Sequence, residues 1–241
     1  MDNNQSKSIK NITYQQILWY LIIFSVIGLI IETIFCYVTT GVMESRKGLI
    51  WGPFCPVYGV GATILILVLH KYQERPMLLF FIGCVLGNVI EYALSYLLEA
   101  YYGTRFWDYS YYHFNINGRI CVLYSIYWGV LSVVLIKYVK PKVDKLISKI
   151  PNKKSWYATI TILLILDGLA TVWAITAYQK RAGTKLEETK TNTNQSPWQK
   201  AKETIEETLF SDKIMVKTFP NLRYVDKDGS QYYIRDIINQ N

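Results

Sequence analysis

Three acids lie inside apolar segments of this chain, and two of them have the same surroundings. Glu32 stands in GLIIETIFCY and Glu91 in GNVIEYALSY, both of the form Gly-x-x-Ile-Glu-x-x-x-x-Tyr, while Asp167 stands in LLILDGLATVW. Insertion scales charge such acids roughly 2.5–3.5 kcal/mol near a helix centre, so they face protein or water and have a partner or a function. Arginine suits the partner role because its planar guanidinium can grip a carboxylate bidentately where the dielectric is low. Arg46 lies fourteen residues beyond Glu32, Arg105 fourteen beyond Glu91, and Arg119 opens a later segment. The expectation is a Glu–Arg pair in each copy, with Asp167, Asp108 and Asn88 as further buried polar or substrate-path candidates. Such pairs either fix helix register or line an outward-facing polar cavity that binds a substrate or relays protons. An intramembrane carboxylate protease is a third class, but the defined motif of paired catalytic aspartates is missing. The chain therefore reads as a non-enzyme, with no catalytic residue, cofactor or metal assigned.

A second phrase is also written twice. GPFCPVYG and GRICVLYS place Gly52 against Gly118, Cys55 against Cys121 and Tyr58 against Tyr124, sixty-six residues apart. The glutamates are fifty-nine apart, so the second copy has seven extra loop residues. Pro53 and Pro56 cannot continue a helix from upstream but fit a first helical turn, which makes the first phrase a bend into a helix. Gly59, Gly61 and the Gly83-x-x-x-Gly87 spacing leave room for a neighbouring helix. Two ordered blocks sharing Gly, Glu, Tyr, Gly, Cys and Tyr indicate tandem copies of one helical hairpin, related by a pseudo-two-fold axis along the membrane normal. Transporters use parallel repeats of this kind, with sites at the repeat interface; the alternative is an old duplication kept for packing.

The elements that must position these residues are membrane spans. Apolar residues make up 51% of the 241 and come in blocks, and a hydrocarbon core of about 30 Å needs roughly 20 apolar residues as helix. Five segments approach this: Tyr14 to Val38, Val57 to Lys71, Pro76 to Leu98, Ile120 to Tyr138 and Trp156 to Tyr178. The first is too long for a signal-peptide core and no small-x-small cleavage pattern follows it, so it reads as a retained span. The fold class is an all-α integral membrane protein of about five spans with a tandem hairpin repeat and a small polar tail. Its divisions are a cytoplasmic tail 1–13 and a membrane domain 14–180, then a polar tail 181–241. Within the membrane domain, repeat A covers 14–71 and repeat B 76–138, followed by a basic connector 139–155 and the last span 156–178.

The net charge of +8 could suggest nucleic acid, but the seven lysines between 137 and 154 have the pattern of a cytoplasmic loop beside an anionic leaflet. With five spans, the N-terminus, the 71–75 turn and the lysine loop carry eleven Lys or Arg, against four in the two opposite loops and four more at the start of the tail. The N-terminus is therefore expected inside and the C-terminal tail outside. Val143, Leu146, Ile147 and Ile150 make the connector amphipathic, able to lie on the inner leaflet or to meet a cytoplasmic partner such as an ATPase subunit. The four cysteines read as packing residues, with a Cys55–Cys121 disulfide possible on an oxidising side. The aromatics from Tyr101 to Tyr112 suit an interfacial belt, or a lid with Asp108, His113, Asn115 and Asn117 as polar contacts. Beyond Tyr178 a linker over 184–196, a short amphipathic helix from Pro197 to Phe210 and a hairpin closing at Asp228-Gly229 are expected. So small a core is marginal alone, so the tail should dock on the outer loops or on a partner.

GPFCPVYGVGA, EYALSYLLEAYYGTRFWDYS, FNINGRICVLYSIYWG and the late intramembrane Leu-Asp resemble the bacterial ABC-transporter permease family known as CmpB-type, or type IV, over about residues 15–180. The resemblance implies a multi-pass protein of the bacterial cytoplasmic membrane, a permease or transport-associated component whose substrate is unknown. No Walker-type Gly-x-x-x-x-Gly-Lys-[Ser/Thr] occurs, so ATP-driven work would need a separate subunit or other membrane partner. The other reading is a non-transporting membrane scaffold or sensor whose ion pairs are structural.

Overall fold

The computed structural model describes residues 11–102, 107–188, 197–225 and 230–239. Helix α1 (Tyr14–Thr40) begins on a capping box, in which the Thr13 side chain accepts from Gln16 N–H and the Gln16 side chain answers the Thr13 backbone, so two orphan donors are satisfied at once. It ends at Gly41, which takes the left-handed conformation that closes a helix without strain. Helix α2 (Pro56–Leu69) starts on a proline, whose missing N–H is no loss in a first turn, and runs into a 3-10 turn at His70–Tyr72. Helix α3 (Pro76–Tyr102) follows. The next loop holds the two-residue strands β1 (Asn115–Ile116) and β2 (Ile120–Cys121), antiparallel with Asn115 opposite Cys121.

Helix α4 (Val122–Val134) continues through a π-helical turn at Leu135–Val139 into α5 (Lys140–Ile147). Pro141 explains the wide turn, because its ring and missing N–H disturb the preceding turn of any uninterrupted helix and one extra residue per turn absorbs that. Helix α6 (Lys154–Glu188) is the longest. The tail adds α7 (Pro197–Leu209), α8 (Asp212–Thr218), the antiparallel strands β3 (Arg223–Val225) and β4 (Gln231–Tyr233), and α9 (Ile234–Asn239).

Among the described residues, four stretches are long and apolar enough to cross a membrane: Tyr14–Thr40, Pro76–Ala100, Val122–Ile147 and Lys154–Leu186. The expected second span, Pro56–Tyr72, is a shorter apolar helix. Its shortness has a local cause. The chain does not turn sharply at the end of α1; segment 41–55 folds back along it until Cys55 N–H donates to Ser25 C=O at 3.0 Å, so α2 starts beside the middle of α1. The fourth helix begins at Val122, not Ile120, and runs on to Ile147. The last helix passes the expected end at Tyr178 and takes in the start of the expected linker, since no Pro interrupts it there and the tail packs on the extension.

Helices α1 and α2 pack as one antiparallel hairpin, α3 and α4 as another. Tyr20, Leu65, Leu69, Leu79, Ile136 and Ile147 form the shared core, at the end of the bundle where α1 and α3 start. The basic connector is tied there: Val143 and Ile147 are buried, Tyr20 Oη donates to Asp144, and Lys140 Nζ pairs with Asp144 at 2.6 Å. The apolar face expected to meet lipid is thus largely covered by the bundle, and Leu146 alone of that stripe stays exposed. Elsewhere the helices turn Ile30, Ile34, Phe35, Val85, Val89, Leu163 and Leu166 outward, as a surface facing hydrocarbon does.

The tail folds on its own chain. Phe210, Met215 and Ile234 close around Tyr178 and Ala182 of α6 and around Ile50 of the first loop. Arg181 Nε pairs with Asp212 at 2.9 Å, and Arg235 reaches Glu44 of that loop at 2.7 Å. The β3–β4 pairing agrees with the expected hairpin, whose turn at 226–229 lies outside the described residues, as do Lys7 and Lys10.

The Arg235 guanidinium, with help from Asn221, holds the Glu44 carboxyl below the usual carboxylate range. A carboxyl lowered on folding contributes stability above its unfolded value of about 4.3 and loses it as pH falls through the folded value. Protease resistance of the tail should be level from pH 7 to about 5 and fall only below about 4; Arg235→Gln should weaken it at neutral pH and flatten that acid-side decline.

Candidate functional site

Glu91 is buried on α3, 8% exposed, and each of its oxygens accepts one neutral donor. Tyr109 Oη reaches Oε1 at 2.9 Å and Trp128 Nε1 reaches Oε2 at 2.9 Å. Among the described residues no cation pairs with it. Tyr109 is placed by its own backbone, which donates to Gly118 C=O at 2.7 Å, and by stacking on Tyr124 with centroids 4.3 Å apart. Trp128 is placed by a glycine, for a Cβ on Gly87 would stand 2.3 Å from the indole Cγ. Gly87 and Glu91 are four residues apart, so the indole covers one turn of α3 and donates to the next.

The first hairpin has the same arrangement. A Cβ on Gly28 would stand 2.2 Å from Tyr58 Cβ, and Tyr58 Oη donates to Glu32 Oε2 at 2.5 Å, four residues beyond that glycine. The next residue of each second helix is a glycine as well: Gly59 lies against Ser25, and Gly129 against Cys84, the residue fifty-nine beyond Ser25. The structural counterpart of Tyr58 is therefore Trp128, not Tyr124. A slip of four residues keeps the same helix face, since a turn holds 3.6. It arises because α4 begins one turn farther from the shared core, along α3, than α2 does along α1.

The arginines also act in parallel, though not on the glutamates. Arg46 Nη2 donates to Cys36 Sγ at 2.8 Å, and Arg119 Nη1 donates to Ser95 Oγ at 3.0 Å. Cys36 and Ser95 each lie four residues beyond their glutamate. Arg119 goes on to an ion pair with Glu99 and lies over the rings of Tyr92 and Tyr96 at 5.7 and 5.6 Å. The expected Glu32–Arg46 and Glu91–Arg119 pairs are replaced because aromatic donors already hold the carboxylates, which leaves the guanidinium the next polar group one turn out. Arg105 lies outside the described residues.

Asn88, Glu91, Ser95 and Glu99 lie at i, i+3, i+7 and i+11 on α3 and form one polar strip. Asn88 and Ser125 exchange hydrogen bonds at 2.7 and 3.0 Å at the end nearer the shared core. Asp167 serves a different element. It accepts Trp51 N–H at 3.2 Å, while its neighbour Thr171 accepts Ile50 N–H at 2.9 Å, so together they satisfy backbone donors of the folded-back segment that no helix can.

Polar residues of the second loop hold its own turns and tie it to α3. Asp108 accepts from Ser110 N–H and Oγ, Asn115 donates to Tyr112 C=O and accepts from Gly118 N–H, and Asn117 reaches Tyr92 Oη. Gly52 and Gly118, the first residues of the two phrases, both take positive φ (71° and 68°), which only glycine adopts without strain. Pro53 and Pro56 stand at the bend into α2 as expected. All four cysteines are free, so Cys55 and Cys121 form no disulfide, and Gly61 has open space beside it, not a close helix. Sequence reasoning missed Tyr109, Trp128 and Glu99. The signals were a Trp-Gly beside the second phrase and an acid two turns beyond Glu91 on the same face.

A family model described as "Putative ABC-transporter type IV" matches residues 19–172, from α1 to the middle of α6 and short of the tail. No curated protein and no solved structure matches the chain.

Gly87→Ala should force α3 and α4 apart, at about 1–3 kcal/mol for overpacking, and lower the melting temperature of the purified protein. Gly168→Ala, with nothing within 4 Å of its added Cβ, should not lower it, since Ala is the better helix former.

Proposed function

Because the chain belongs to the family described as putative ABC-transporter type IV, we propose that it is the membrane-embedded component of a transport system, built on two tandem hairpins, α1–α2 and α3–α4, closed by α6. In this reading α2 is a short fifth crossing. The lysine-rich end where α1 starts and α5 lies is cytoplasmic, and the tail is outside the bacterial cytoplasmic membrane. The Lys142, Lys145 and Lys149 face, exposed because α5 is pinned on its other side, is where a separate ATPase subunit would act.

The observation that carries this reading is the way the two glutamates are held. Neutral donors solvate a carboxylate without cancelling its charge, and an uncompensated charge inside an apolar bundle is costly. The counter-charge has to arrive as a proton or as a cationic group of a substrate, and the polar strip from Asn88 to Glu99 is a path along which either can reach Glu91. Were the glutamates only structural, their Arg neighbours, one turn away on Cys36 and Ser95, would be the natural partners. The second reading, a non-transporting scaffold or sensor, draws on Asp167, whose role in holding Trp51 is structural.

Glu91→Gln keeps the hydrogen bonds' shape and loses the charge. In a strain lacking the native protein, Glu91→Gln and Glu32→Gln should insert and accumulate as the native chain does yet fail to restore the growth or resistance phenotype. Full restoration by either would overturn the carboxylate path, and degradation of both would favour the scaffold. As a separate check on topology, alkaline phosphatase fused after Asn239 should be active and green fluorescent protein at the same place dark.

A further inference from the structure

Helix α7 turns Glu203 and Glu206 toward α6 and its apolar residues outward. At 100° per residue Trp198, Ile205 and Leu209 fall within about 40° of one another, and all three are exposed, by 78%, 52% and 50%. The face against α6 is instead made by Glu203, Glu206 and, just past the helix, Phe210. Glu206 is 5% exposed and accepts from Trp173 Nε1 at 2.9 Å, Glu203 pairs with Lys180 at 3.2 Å, and the Phe210 ring meets Trp173 edge-on at 5.2 Å. The apolar stripe stands roughly a quarter-turn to a third of a turn from this packed face. Thr204, Glu207 and Thr208, also exposed, fill the remaining side.

In water such a helix would leave its best hydrophobic surface unused. A helix lying on a bilayer beside a span divides its circumference in just this way: one flank to protein, one to lipid, one to water. The direction of the stripe follows from its neighbours. Glu206, on the flank next to the stripe, meets Trp173 inside the membrane-spanning part of α6. Glu203, on the flank away from it, meets Lys180, about 10 Å farther out along the helix. The stripe therefore looks back toward the span, where Leu169 and Val172 are themselves exposed, and continues that lipid-facing surface.

We infer that α7 is an interfacial helix, with Trp198, Ile205 and Leu209 immersed in the acyl-headgroup boundary around the end of α6 and Glu207 in water. The buried Glu206–Trp173 bond sets its depth and rotation. This inference needs only that α6 spans the membrane, not the transport reading or the side on which the tail lies.

The test uses the full chain with Ile205→Cys, Leu209→Cys or Glu207→Cys, each labelled with bimane and reconstituted in phosphatidylcholine–phosphatidylglycerol vesicles, the unmutated chain giving the background from native cysteines. Labels at 205 and 209 should be quenched by shallow doxyl lipids about threefold more than the label at 207, with the reverse order for aqueous iodide. Equal iodide quenching at 205, 209 and 207 would overturn the assignment. So would shielding of 205 and 209 from both quenchers, or lipid quenching that appears only on dilution of the protein, since a partner or a second copy would then cover the stripe. Two stripe positions keep the outcome readable if one variant fails to fold, which protease resistance of the tail reports.

Discussion

A carboxylate inside a bundle of apolar helices must be solvated by donors that the fold itself delivers, and here the donors are aromatic. For Trp128 to reach Glu91, α4 must come close enough to α3 for an indole to lie on bare backbone, which is what Gly87 permits. For Tyr109 to reach the other oxygen, the second loop must fold down along α3, which requires Asn115, Asn117 and the left-handed Gly118 to close its turns. The first hairpin reproduces the contact with Gly28, Tyr58 and Glu32. The close approach of both helix pairs, and the conformation of the second loop, are thus tied to how these two acids are solvated.

The same logic extends to backbone. Segment 41–55 descends beside α1 before α2 begins, so those of its N–H groups that face the helices need acceptors from outside the segment. Asp167 and Thr171 take two of them, and Ser25 C=O takes a third. Ile50 then carries this segment into the core of the tail, and Glu44 into an ion pair with Arg235. The C-terminal tail and the first loop are consequently one packed unit around the end of α6, although nearly two hundred residues separate Glu44 from Arg235 in the chain.

Much of this was legible in residue types. The repeated Gly-x-x-Ile-Glu marks both carboxylates and both glycines that admit the aromatic rings, and the two arginine-bearing loops do act equivalently. The partners were not legible. Counting fourteen residues from the first glutamate singles out Arg46, yet among the described residues the guanidiniums that dock alike are those of Arg46 and Arg119, and they dock on Cys36 and Ser95. Aligning the phrases pairs Tyr58 with Tyr124, yet Trp128 occupies the equivalent place. In both cases the deciding quantity is how far one helix is slid along another, and a slide of one turn leaves the pattern of faces unchanged.

The sequence by itself determined the apolar helices, the duplicated hairpin wording, the basic end of the bundle and the identity of the acids that need an explanation, because each follows from composition and periodicity within one segment. Only the tertiary structure decided which donors solvate those acids, why α2 is short, and that the apolar stripe of α7 stays uncovered while Glu206 is buried. Those outcomes depend on axial offsets and approach distances between segments, set by loops whose hydrogen bonds close only once the helices are in place.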